Sequence, residues 1–239
     1  MTSRRTLLTS AGALVLTTFA ASRRPASATP AVPRQAAPRA SASPPEDGFV
    51  MLTDGRTFAG WDGDTDRTWR IEDGAFVGGS LTDTVPRNEF LATTREFGDM
   101  VLRLQFRLRG SEGFVNAGVQ VHSQRVPDHH EMVGYQVDIG DPDWWGCLYD
   151  ESRRDRVLAR SDMTQVNRVL RRGDWNDYEI VCEGPRLRAH LNGLLTFDYT
   201  EQDPAVPLSG RIGLQVHGGG KAEAWYRAIR VRELQAPQR

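Results

Sequence analysis

The amino-acid sequence predicts an all-β chain, a sandwich or jelly roll of two antiparallel sheets, and three observations carry that prediction. From Phe49 onward, short runs alternate apolar and polar side chains, the period of a strand buried on one face. Asp-Gly, Asn-Gly and Gly-Gly pairs break the runs, and such pairs supply the left-handed backbone that tight turns need. No window holds a helical repeat for long, and this many strands pack as two layers rather than one open sheet. Of the 239 residues 39% are hydrophobic, enough to build a core. Lys and Arg number 30 against 31 Asp and Glu, a formal charge of -1, which gives no electrostatic reason to hold nucleic acid or an anionic membrane surface. Two cysteines exclude a disulfide-dense scaffold.

The first segment reads as an address. Ser3-Arg4-Arg5-Thr6-Leu7-Leu8 sets two arginines before an apolar stretch from Ala11 to Ala21, and Ala26-Ser27-Ala28 offers small residues to a signal peptidase. Residues 1–28 are therefore expected to be a twin-arginine signal peptide that delivers the protein to a periplasmic or extracellular location. The apolar stretch is shorter than the roughly 20 residues that span a bilayer, so no membrane span is expected after its removal. Cleavage would take away Arg4, Arg5, Arg23 and Arg24 and no acid, leaving 26 basic against 31 acidic residues, minus five overall. Residues 29–46 are Ala, Pro, Arg and Ser with almost nothing to bury, the composition of a disordered linker. Residues 47–236 form the expected domain.

Within that domain, Val101 to Leu108 puts Leu102, Leu104, Phe106 and Leu108 on one face and Arg103, Gln105 and Arg107 on the other, a half-buried antiparallel strand. Tyr178, Ile180 and Cys182 repeat the pattern, Leu187 and Leu191 mark the next strand, and Leu191-Asn192-Gly193-Leu194 reads as its hairpin. Trp61 and Trp69 stand beside Asp-Gly turns and are expected to be structural.

Three strands carry an unusual polar face. Parity groups Asn116, Gly118, Gln120 and His122, then Gly134, Gln136 and Asp138, then Arg211, Gly213, Gln215 and His217. Amides, imidazoles and a carboxylate among glycines differ from the Lys, Glu, Thr and Arg of a plain solvated face, and strand glycine often marks close approach by a ligand. The pattern fits a concave polar groove, and an ordinary wet face with incidental histidines fits it about as well.

The segment from Asp141 to Arg154 mixes Trp144, Trp145 and Tyr149 with acids and arginines. Aromatic rings stack on sugar faces while carboxylates and guanidinium groups bind hydroxyls, so a saccharide cleft needs this mixture. Trp145 or Trp144, with Tyr149, Glu151 and Arg153, are its candidates, with core packing the competing role for each Trp. His130 and Glu131, beside Asp128 and His129, are candidate ligands for a divalent metal ion. A metal there would need a further donor from another strand, and a solvated loop is the simpler reading. HExxH, CxxC, EF-hand and GxSxG patterns are absent from the sequence. Cys147 and Cys182 would bridge only if the fold brought their Cα atoms within about 7 Å.

An ordered series of short motifs then resembles a known family. It runs Leu52-Thr53-Asp54-Gly55 with Gly60-Trp61; Trp69 with Glu72-Asp73-Gly74; Leu91-Ala92-Thr93 and Phe97-Gly98-Asp99; Asn116-Ala117-Gly118-Val119; and Gly134-Tyr135-Gln136. Trp175-Asn176, Leu191-Asn192-Gly193, Gly213 to Gly218, and Tyr226-Arg227 with Ile229-Arg230 complete it. From Phe49 to Leu234 the chain resembles the 3-keto-disaccharide hydrolase domain family, whose members act as 3-keto-glucoside 1,2-lyases and hydratases. Many members read Asn-Ser-Gly at Asn116 to Gly118, and carry Glu then Gln where Gln136 and Asp138 stand. The carboxylate has moved by two residues, which keeps it on the same strand face.

The resemblance implies a concanavalin A-like jelly roll and an enzyme acting on glycosides already oxidised at C3. A C3 ketone acidifies the C2 proton, so a base can form an enediolate and the C1 oxygen bond then breaks by elimination, with water able to add back. On this reading Asp138 is the base, His217 the acid or a metal ligand, and Glu151 a further catalytic group. Asn116, Gln120, Gln136, Gln215, Trp145, Tyr149 and Arg153 would bind the saccharide. A non-catalytic carbohydrate-binding module and a two-carboxylate glycosidase are the alternatives.

Overall fold

A computed structural model describes residues 48–235 of the chain. The expected signal peptide (1–28) and linker (29–46) lie outside the described residues.

The strands are, in order, β1 (Val50–Met51), β2 (Trp61–Asp62), β3 (Trp69–Glu72), β4 (Ala75–Gly79), β5 (Glu89–Thr93), β6 (Met100–Gly113), β7 (Asn116–Arg125) and β8 (Met132–Gly140). They continue with β9 (Leu148–Glu151), β10 (Arg156–Ala159), β11 (Asn176–Glu183), β12 (Arg186–Leu191), β13 (Leu194–Thr200), β14 (Arg211–Val216) and β15 (Gly220–Glu233). One short helix, α1 (Met163–Val169), interrupts them; Asp162 caps it by accepting from the backbone N–H groups of Thr164 and Gln165.

Two antiparallel sheets result, as expected. The back sheet runs β13-β12-β11-β6-β15-β4-β3, with β1 added on β15, and the groove sheet runs β10-β9-β8-β7-β14-β5-β2. The apolar halves of the alternating strands meet between them. On β6, Leu102, Leu104, Phe106 and Leu108 are buried, while Arg103, Gln105 and Arg107 stay partly exposed, and Tyr178, Ile180 and Cys182 of β11 join the same core. The Asn192-Gly193 hairpin has φ 49° and 84°, the doubly left-handed turn whose twist matches its strands.

Trp61 and Trp69 are structural, as expected. Trp61 is buried and its indole N–H donates to the Leu52 carbonyl at 2.6 Å. Trp69 packs across Gly78, where an added Cβ would stand 2.8 Å from its ring. Both cysteines are buried free thiols, so the disulfide left open by the sequence is not formed.

Candidate functional site

The groove sheet turns Tyr135, Val137 and Ile139 of β8, Ala117, Val119 and Val121 of β7, and Ile212, Leu214 and Val216 of β14 into the core. Strand alternation therefore puts Asn116, Gly118, Gln120, Gln136, Asp138, Gly213 and Gln215 on the opposite face. Gln215 pairs with Gly118, and Gly118 with Asp138, in one row across three strands. Gly118 is the centre of that row, and a Cβ there would stand 2.5 Å from Cδ of Gln136. Only a glycine lets Gln136 lean across the row and reach both neighbours.

Gln136 Nε2 donates to Asp138 Oδ1 at 2.9 Å and to Gln215 Oε1 at 3.1 Å. Gln215 Nε2 in turn donates to Glu151 Oε2 at 3.3 Å, and Gln120 Nε2 donates to Gln136 Oε1 at 3.3 Å. Two amides thus point their donors toward two carboxylates, and a third, Gln120, supports Gln136 from behind. The second oxygen of Asp138 accepts from the Cys147 thiol at 3.5 Å. Tyrosines from the back sheet brace the floor from below: the Tyr178 hydroxyl donates to the Asp138 carbonyl at 2.7 Å, and the Tyr226 hydroxyl lies 2.7 Å from the Gln215 carbonyl.

Burial governs the charges. It pushes the Asp138 carboxyl up to about 8, with Glu151 adding repulsion and the bonds from Gln136 and Cys147 opposing. It pushes Glu151 up to about 7, aided by repulsion from Glu131 and opposed by Gln215. Burial and the nearby Glu151 also raise the Tyr149 phenol. His217 Nδ1 lies 2.7 Å from the Gly218 carbonyl; a carbonyl can only accept, so Nδ1 carries the hydrogen and Nε2 is left for a ligand.

Around this floor lies a hollow of about 250 Å³ lined by Phe114, Asn116, Gln136, Asp138, Trp144, Tyr149, Glu151 and His217. Drug-sized pockets run roughly 300–1,000 Å³, so this one has room for a single ring. Trp144 stands edge-on to Phe114 and to Tyr149, with centroids 6.3 and 6.0 Å away, and Phe114 meets His217 at 4.6 Å. A larger hollow of about 720 Å³ is lined by the 125–130 loop together with Asp62, Arg87 and Glu89. Its charges answer one another, Arg87 with Glu89 at 2.8 Å and Arg125 with Asp62 at 3.5 Å.

The structure thus brings together Asn116, Gln136, Asp138, Tyr149, Glu151 and His217, with Gln215 beneath them. Gln120 is completely buried and does not line the hollow; it is an internal strut rather than a saccharide ligand. Trp145 also departs from expectation. It is buried, stacks on Phe106 and donates its indole N–H to Asp141 at 2.9 Å, because the turn sends one of two adjacent tryptophans inward and leaves Trp144 to the groove. Arg153 lies on the other side of the sheet, 4.6 Å over the core-facing Tyr135 ring and paired with Asp150 at 2.6 Å. A positive φ of 54° at Ser152 ends the strand parity before it. His122 has φ 49° within a register shift, and its ring reaches the Gly98 carbonyl instead. Phe114 is a groove residue the sequence reading missed, although it shares parity with Asn116.

The strand glycines read as ligand approaches are filled by the protein itself: an added Cβ at Gly213 would meet Met132 Sδ at 2.9 Å, and one at Gly134 would meet Ser123. His130 and Glu131 face each other at 3.4 Å. Among the described residues no three His, Cys, Asp or Glu side chains converge to hold a metal ion, so this pair lacks the further donor a metal centre would need.

Fold and site together define a two-sheet antiparallel sandwich that carries a small polar groove on one sheet. A sequence profile of the 3-keto-alpha-glucoside-1,2-lyase-like domain matches residues 48–232, and the chain belongs to that family. No curated protein matches the chain. Among solved structures it is similar to a Parabacteroides distasonis protein provisionally named a glycosyl hydrolase, with TM-score 0.60 and 18% identity, covering 79% of this chain and 94% of that one. It is also similar to the carbohydrate-binding module CBM66 of Bacillus subtilis, with TM-score 0.57 and 15% identity, covering 73% and 96%. A Bacillus subtilis protein with a galectin-like fold follows, with TM-score 0.54 and 13% identity, covering 72% and 88%. At such identities the likenesses establish the jelly-roll fold alone. Family membership supports a carbohydrate-related role.

Proposed function

We propose that the chain is an exported enzyme that cleaves 3-keto-glycosides by taking the C2 proton and eliminating the C1 substituent. The observation that carries this reading is the Asp138 carboxyl on the floor of a ring-sized groove, held at about 8 against an ordinary 3.8. Breaking a C–H bond demands a stronger base than a solvated carboxylate, and a shift of four pH units is about a 10⁴-fold gain in proton affinity. Asp138 accepts the C2 proton, and the bonding pair becomes an enediolate across C2 and C3. As the ketone re-forms, C1 and C2 become doubly bonded and the C1–O bond breaks. Glu151, held at about 7, gives a proton to the departing oxygen, so atoms and charge balance. His217 Nε2, Asn116 and Gln136 bind sugar oxygens, and Trp144 and Tyr149 wall the ring. Addition of water to the product by the reverse proton transfers would complete net hydrolysis. The twin-arginine leader supports a periplasmic or extracellular site of action.

The test offers the purified chain a 3-keto-glucoside and its unoxidised parent, in deuterium oxide. Consumption of the oxidised sugar alone, with deuterium entering C2, is the expected result. Cleavage of the parent would make the protein an ordinary two-carboxylate glycosidase. Binding without turnover of either would make it a carbohydrate-binding module.

A further inference from the structure

Cys147 follows the turn that links β8 to β9, and its backbone is fastened to Asp138. Asp138 N–H donates to the Cys147 carbonyl at 3.1 Å, and Gly146 N–H donates to the Asp138 carbonyl at 2.9 Å. These bonds fix the direction of the Cys147 side chain, and its Sγ meets Asp138 Oδ2 at 3.5 Å with no solvent access. The thiol has one weak donor proton. Burial and the neighbouring Asp138 push it well above its ordinary ionisation, so it keeps that proton. Other titratable groups acting on or near Asp138 are Glu151 and Tyr149 from β9, His217 after β14, and Tyr178 and Tyr226 from the back sheet. Arg160 and Asp143 act on the thiol side. Among the described residues, none of the groups acting on the carboxylate itself is a fixed cation.

We infer that Cys147 is a positioning residue for Asp138: its thiol fixes the Oδ2 oxygen in place while stabilising the ionised carboxylate less than a hydroxyl would. This rests on the reading of Asp138 as the base. A serine at the same place would hold the oxygen equally well but donate a stronger, charge-assisted bond, making the carboxylate a weaker base. An alanine would leave Oδ2 without a partner.

The test uses the purified full chain with ¹³C-labelled aspartate carboxyls, the Asp138 signal being assigned by its loss in Asp138→Asn. The titration midpoint of Asp138 should fall in Cys147→Ser by about one pH unit, a tenfold loss of proton affinity, and rise in Cys147→Ala. The pH profile of kcat/KM on a 3-keto-glucoside should shift with it. Coincident Asp138 midpoints in wild type and variants overturn the inference, and Cys147→Ala against wild type suffices if the serine variant does not fold. Midpoints that move while the rate profile stays fixed would leave the thiol's hold on Asp138 standing and remove the base reading instead.

Discussion

Asp138 and Glu151 are joined through a single pair of amides: Gln136 donates to Asp138 at 2.9 Å, Gln215 donates to Glu151 at 3.3 Å, and Gln136 donates to Gln215 at 3.1 Å. Flipping Gln136 would set its carbonyl oxygen against a carboxylate and another carbonyl, so the direction of the chain is locked. Each bond favours an ionised carboxylate, yet burial outweighs both and leaves the groups at about 8 and about 7. One of the two is therefore ready to accept a proton and the other to give one in the same neutral range.

The rate of 3-keto-glucoside cleavage should follow a narrow bell in pH. The base must be ionised, so kcat/KM rises as pH climbs, and the acid must be protonated, so it falls again. Limbs near about 7 and about 8 follow from the two carboxyls, and they belong to the pair rather than to either residue. Steady-state kinetics across neutral pH provide the check, and a flat profile there would exclude these groups from the rate-determining step.

Asp138→Asn should abolish turnover and stabilise the fold at alkaline pH. The folded-state value of about 8 lies above the ordinary 3.8, so between them the folded chain binds more protons than the unfolded one. The stability tied to this group is full at low pH and is lost as pH rises through about 8. Asparagine keeps the shape and never ionises, and the gain should be roughly 2 to 4 kcal/mol above pH 8 and near zero only at about pH 4 and below, where folded and unfolded chains both hold the proton. Thermal melts at the two pH values read it. Wild-type kinetics in this variant would remove the base role.

Strand parity made much of this site legible in the sequence. Asn116, Gln136, Asp138 and Gln215 share a face because three strands alternate without interruption across the row through Gly118. Parity fails wherever the backbone turns left-handed. His122 leaves the face at a register shift, Arg153 follows the positive φ of Ser152, and hydrophobic periodicity carries no sign of either. Gly118 misled for another reason: a missing side chain signals close approach, but the sequence does not say whether a ligand or Gln136 makes it. Trp144 and Trp145 are chemically alike, and only the turn decides which one meets the core.

That division predicts opposite phenotypes for the two tryptophans. Trp145→Ala empties a site stacked on Phe106 and should cost roughly 3 to 5 kcal/mol, like other buried aromatic truncations, with a lower melting temperature. Trp144→Ala removes a groove wall and should raise KM several-fold while moving the melting temperature little. Equal losses of stability in both variants would mean that Trp144 serves the core as well.

Of the two histidines on β12 and after β14, only the second should matter to turnover. His217 lines the groove and, with Nδ1 committed to the Gly218 carbonyl, offers Nε2 to the sugar. His190 lies on the back sheet, with Nδ1 3.6 Å from Glu179, and faces no part of the groove. His217→Ala should therefore cut kcat/KM by about 10- to 100-fold, the loss of one hydrogen bond to the sugar in a buried groove, while the fold persists. His190→Ala should leave it within about twofold. Parallel losses in the two variants, at unchanged melting temperatures, would show that His217 acts at a distance rather than on the substrate.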